Sequence, residues 1–203
     1  MQKKNNMKNK IILLLFLLIT ITLNGADKKS KNTQLIEENN TFTIYQEKAD
    51  LYLKRKYFKG TPITGQMLAK SAKKAYDSTG ILLPLELALS QAQWESGMGL
   101  KGKSPKKNPF NIGEWGDTTV IKFKTTEKGI EYYYLLMTKN YLKCKTVDEL
   151  LNNFVNCNGH RYAKSEKYEQ KIKNQYRFIK TWLDKNYLTN DSTHCLTIQN
   201  IDN

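Results

Sequence analysis

Between Thr64 and Gly97 the sequence spells out two consecutive helices with both their start and stop signals, which commits the chain to a helical framework. Thr64 is a hydroxyl N-cap for GQMLAKSAKKAYDS, where Met67, Leu68, Ala72 and Tyr76 recur at helical spacing and Gly80 ends the run. Pro84, suited to a first helical position, opens LELALSQAQWES, and Gly97 closes it. Leu85, Ala88, Leu89 and Ala92 stand at i, i+3, i+4 and i+7 and define one buried face. Helical periodicity resumes near Glu127 in GIEYYYLLMTKNYL, then over residues 147–155 and 166–187. Residues 44–57 form either a first helix or an irregular arm. Residues 97–120, rich in Gly, Lys and Pro, read as loops with a small sheet or turn. The expectation is a mainly α single domain over residues 44–187, helical with one central interruption and no internal repeat.

The N-terminus has a different character. Lys3, Lys4, Lys8 and Lys10 precede a thirteen-residue apolar run (IILLLFLLITITL, residues 11–23), followed by Gly25 and Ala26. Charged, then apolar, then small is the layout of a secretory signal, here residues 1–26. The run falls short of the roughly 20 residues that span a bilayer as a helix, which favours cleavage near Gly25 or Ala26 over the alternative, an uncleaved anchor. A periodic pattern is missing from residues 27–43, which read as a flexible linker, and residues 188–203 read as a C-terminal tail. The expected location is periplasmic or secreted. Removing the four signal lysines from a formal charge of +14 leaves 14 − 4 = +10. Such a surface suits a polyanion; in an exported chain that means envelope polymers rather than nucleic acid, although Lys-rich composition also makes plain solvated surface. Three cysteines allow at most one internal bridge, with Cys144 and Cys157 the candidate pair and Cys195 in the tail. With two histidines and no metal-ligand spacing, no metal centre and no cofactor are expected.

Within the second helix, Glu95 lies about 60° around the axis from Ala92, beside the apolar stripe, whereas Glu86 lies about 180° from Glu95 and faces water. A carboxyl group at the end of a buried face, followed by a Gly-Met-Gly turn that opens space, is expected to hold its proton near neutrality, as a general acid for a glycosidic oxygen must. Pairing with a lysine or capping a neighbour is the ordinary structural alternative for such a glutamate.

LALSQAQWESGMG resembles the glutamate motif of the glucosaminidases of glycoside hydrolase family 73, in which an apolar helix of the form A-Q-A-x-x-E-S-x-x-G ends in the catalytic acid. Three further segments follow in the family's order. Residues 108–112 (NPFNI) are similar to N-L-F-x-I, part of the saccharide groove. Residues 123–137 (FKTTEKGIEYYYLLM) are similar to F-R-x-Y-x-S-x-x-x-S-x-x-D-Y, and residues 161–168 (RYAKSEKY) to Y-A-T-D-x-x-Y. The resemblance implies a lysozyme-like domain with a small, shortened loop or β-lobe beside the active-site groove. It also implies an exported, envelope-associated peptidoglycan hydrolase acting on glycan strands in the manner of an endo-β-N-acetylglucosaminidase. Glu95 falls on the acid and Tyr162 on the tyrosine that lines the catalytic site. Asn108, Phe110, Asn111, Trp115 and Tyr168 are the substrate-binding candidates, with Phe110 and Trp115 offering flat faces to sugar rings.

Two departures matter. Lys164-Ser165 replaces the family's T-D pair, and the lobe that often carries a second carboxylate is cut short, leaving Glu114 and Asp117 as its only acids. Hydrolysis with inversion or retention wants such a partner at a defined separation. A lytic transglycosylase working through Glu95 alone and a non-catalytic wall-binding or assembly protein are therefore the standing alternatives. Tyr132, Tyr133 and Tyr134, pointing three ways around a helix, read as core and groove scaffolding, and His160 reads as structural.

Overall fold

The computed structural model describes residues 36–102, 106–113, 119–165 and 167–199, the last of these with side chains only to residue 187. The signal expected at residues 1–26 lies outside the described residues, as do Glu114, Trp115 and Asp117. Two compact units divide the chain, Met1–Thr41 and Phe42–Asn203. Of the first, residues 36–41 are described; they are helical, and the Thr41 hydroxyl donates to the Glu37 carbonyl at 2.9 Å. Part of the stretch expected to be a flexible linker is thus a helix.

The second unit is mainly α. It opens with α1 (residues 42–53), the helical alternative for this segment, because Phe42, Tyr45, Ala49, Tyr52 and Leu53 recur at helical spacing and are all buried. A short 3-10 turn, Lys56–Phe58, leads to α2 (Gly65–Thr79), where the Thr64 hydroxyl accepts from the Met67 N–H at 3.2 Å and Gly80 turns left-handed at φ 69°. The third helix, α3 (Leu85–Ser96), begins one residue later than its proline suggests: Pro84 is itself the N-cap residue. Burial here exceeds one stripe. Leu87, Ser90 and Gln91 are covered along with Leu85, Ala88, Leu89 and Ala92, so α3 is the central helix of the unit. Glu86, expected on the water side, is half-buried. Next come α4 (Thr126–Leu136), a π turn at Met137–Tyr141, α5 (Val147–Asn152) and α6 (Tyr168–Gln199). The last helix continues through most of the expected tail. Helix α2 packs on α4, while α3 and α5 pack on α6. Among the described residues strand pairing is limited to two isolated antiparallel bridges, Gly113 with Val120 and Val155 with Arg161.

Two features hold the interruption between α3 and α4 against the helices. The Thr126 hydroxyl donates to the Lys106 carbonyl at 2.6 Å, and a Cβ at Gly129 would lie 2.2 Å from the Lys107 carbonyl oxygen, so α4 and this loop touch backbone to backbone. Replacing a helix-interior glycine by alanine ordinarily stabilises by about 1 kcal/mol. Here the sign is expected to reverse: Gly129→Ala lowers the unfolding free energy by about 1–3 kcal/mol through overpacking. A urea midpoint at or above wild type would mean that the loop moves aside freely. The expected bridge between Cys144 and Cys157 is formed, with 5.8 Å between Cα atoms, and ties the segment after the π turn to the loop that carries Tyr162.

Candidate active site

Glu95 sits in the last turn of α3, one residue before Ser96 and the left-handed Gly97 (φ 56°). Burial pushes its carboxyl group up to about 7, and hydrogen bonds from the Tyr168 and Asn111 side chains pull in the opposite direction. Its position at the negative end of the helix dipole works with the burial. Among the described residues no other carboxylate contributes to the rise. Phenols surround it instead. Burial first, and then the charge of Glu95 among other causes, hold the Tyr133, Tyr162 and Tyr168 hydroxyls protonated well above the ordinary tyrosine range.

Three segments meet at this carboxyl group, and each is fastened by its own neighbours. Ser96 ties α3 to the loop that follows: its hydroxyl donates to the Pro109 carbonyl at 2.6 Å and accepts from the Gly99 N–H at 2.7 Å. Asn108 closes the loop on itself, donating to the Ile112 and Ile121 carbonyls at 2.9 Å each and accepting from the Ile112 N–H at 3.0 Å. That closure turns Asn111 left-handed at φ 50°, a conformation asparagine tolerates better than most residues, and leaves it exposed beside Glu95. Tyr162 donates to the Phe110 carbonyl at 2.9 Å and lies nearly parallel to Tyr168, with ring centroids 5.7 Å apart. Tyr168, at the start of α6, is buried with its hydroxyl turned to Glu95. The arrangement can hold a protonated carboxylic acid next to neutral hydrogen-bond donors, the equipment for giving a proton to a leaving oxygen.

Among solved structures the chain is similar to the glycoside hydrolase domain of Salmonella typhimurium FlgJ, at 19% identity and a TM-score of 0.41, over 66% of this chain and 95% of that one. No protein-family model and no curated protein matches the chain.

Glu95, Asn111, Tyr162 and Tyr168 thus come together. Three of the groove candidates do not present themselves to a ligand, and Tyr168 is one, 2% exposed with its hydroxyl engaged by Gln91 and Glu95. Phe110 has no exposed surface because its ring lies flat on Tyr133, with centroids 3.5 Å apart, so it has no face left for a sugar. Asn108 is 1% exposed and its amide is consumed by the loop, which makes it a fastener of Asn111 rather than a ligand contact. Trp94, the sequence neighbour of Glu95, points outward and carries the Lys171 ammonium 4.2 Å from its ring centre. A cavity of about 940 Å³ opens next to the acid. Asn111, Tyr132, Tyr141, Arg161 and Tyr162 are in its wall, but Glu95 is not. The cavity therefore adjoins the acid through Asn111 and Tyr162. Sequence reasoning passed over Ser96 and Gln91. With Ser90 they are the polar residues that α3 buries, and such groups are retained where they have partners.

Proposed function

We propose that this protein is an exported peptidoglycan hydrolase that cleaves the glycan strand as an endo-β-N-acetylglucosaminidase does, with Glu95 as the general acid. The observation that carries the reading is the Glu95 carboxyl group, raised to about 7 by burial and held by Tyr168 and Asn111. An acid with that affinity for its proton is about half protonated at pH 7 and largely protonated just below it, yet gives the proton up readily, which is what departure of a sugar oxygen requires. Support comes from the family-like order of the segments that supply Glu95, Asn111, Tyr162 and Tyr168, and from a charge of 14 − 4 = +10 without the four signal lysines, suited to a polyanionic wall. In this reading Tyr162 orients the N-acetyl group beside the scissile bond. Glu114 or Asp117 supplies the second carboxylate, or the substrate's own N-acetyl group takes that part.

Mass spectrometry of purified peptidoglycan after incubation tests the activity. New N-acetylglucosamine reducing ends are expected. Anhydro-muramic ends would make the protein a lytic transglycosylase, with no need of a second carboxylate, and intact glycan would overturn the enzymatic reading in favour of a wall-binding protein.

A further inference from the structure

Gln91 is fully buried one helical turn before Glu95, in the middle of α3. Both ends of its amide are engaged. Its Oε1 accepts a hydrogen bond from the Tyr133 hydroxyl, and its Nε2 donates to the Tyr168 hydroxyl oxygen at 2.9 Å. An amide oxygen can only accept and an amide nitrogen can only donate, so the two contacts have fixed directions. Tyr168 accepts a hydrogen bond from Gln91, and its own hydroxyl hydrogen is left to donate to Glu95. Turning the amide over would set Nε2 against the Tyr133 hydroxyl and leave that buried proton without its acceptor, a costly arrangement in the interior. Tyr133 cannot move away to relieve this, because its ring is stacked on Phe110 and wholly buried.

We infer that Gln91, held in one orientation by Tyr133, is a positioning residue that makes Tyr168 a one-way hydrogen-bond donor to Glu95. Resting on the assignment of Glu95 as the acid, this gives the relay a definite purpose. The carboxyl oxygen held by Tyr168 serves as an acceptor, and that hydrogen bond steadies the carboxylate left when the acid gives up its proton. Tyr133 lies behind Gln91 and also within the field of Glu95, and its hydrogen bond reaches the acid through Gln91 and Tyr168.

Carbon-13 carboxyl NMR titration reads Glu95 directly, with Glu95→Gln assigning the resonance, and does so whether or not the protein cleaves glycan. Tyr133→Phe keeps the stacked ring while removing the hydroxyl that fixes the amide. Gln91 is then free to present Oε1 to Tyr168 and divert its proton from Glu95. The expected result is a Glu95 pKa about one unit higher than in wild type, the size of a lost hydrogen bond to a charged group. In a Tyr168→Phe background the same change is expected to add nothing, since the donor it acts through is gone. Gln91→Met reads the same link if Tyr133→Phe folds poorly, and is also expected to raise the Glu95 pKa. An unchanged Glu95 titration in folded Tyr133→Phe or Gln91→Met overturns the relay, as does a full shift persisting in the Tyr168→Phe background. Loss of glycan cleavage with the titration behaving as expected would count against the proposed activity and not against the relay.

Discussion

Glu95→Gln is expected to lower glycan cleavage at pH 6 by about 10²- to 10⁴-fold, the usual share of a general acid, with little change in KM. The amide keeps the shape of the side chain and its acceptor for Tyr168 but has no acidic proton. The wild-type rate is expected to fall on an alkaline limb near pH 7, where the carboxyl loses its proton. The same residue makes a second, substrate-free prediction. In the folded protein Glu95 holds its proton to about 7, whereas the ordinary glutamate value is 4.5. Between those values the unfolded chain binds fewer protons than the folded one, so stability falls as pH rises through the window and the loss is complete above it. For a carboxyl group buried to this degree the loss amounts to about 2–3 kcal/mol. Glu95→Gln removes that titration. The variant is therefore expected to match wild type near pH 4 and to exceed it by about that amount at pH 8, in urea unfolding followed by circular dichroism. Equal stabilities at pH 8 would mean that Glu95 ionises as an exposed glutamate does, and near wild-type cleavage by the folded variant would remove it as the acid.

Opening the Cys144–Cys157 bridge is expected to cost about 3 kcal/mol of stability, the loop-closure term for cysteines 13 positions apart. The bridge encloses α5, whose N-terminus is secured by the Thr146–Glu149 capping box, and ends at the turn before Tyr162. That turn has its own fasteners: the Asn156 N–H donates to the His160 carbonyl at 2.8 Å, and Tyr162 N–H donates to the Phe154 carbonyl at 3.1 Å. The folded state should therefore keep its shape without the bridge, and the effect should fall on the unfolded ensemble. Paired Cys144→Ala and Cys157→Ala substitution is expected to lower the denaturation midpoint while leaving the Glu95 titration unchanged. A midpoint equal to wild type would show that the closed loop contributes nothing; a moved Glu95 titration would show that the bridge reaches the site.

Much of the helical framework was legible because it depends on neighbours in sequence. Thr64 bounds α2 through its hydroxyl and Gly80 through its lack of a Cβ, and the apolar spacing before Glu95 marked a buried helix. The boundaries that moved were those set by distant partners. Upstream of residue 44 the chain is still helical, with Phe42 packed against Tyr76 at 6.0 Å between ring centroids, and α6 passes the end of its apolar pattern.

For the site, the sequence by itself determined that an acidic residue ends a buried helix, that three later segments follow in a family-like order, and which cysteines could pair. Only the tertiary structure decided what those segments do. Phe110 and Asn111 are separated by a single peptide bond, yet one is sealed under Tyr133 and the other reaches Glu95. Nothing local distinguishes them, because the difference lies in a left-handed turn closed by the buried amide of Asn108. Likewise Gln91 reads as one polar residue in an apolar run until Tyr133 and Tyr168 stand on either side of its amide. Burial, hydrogen-bond direction and the protonation of Glu95 all arise from residues far apart in the chain, and the packing of helices brings them within reach.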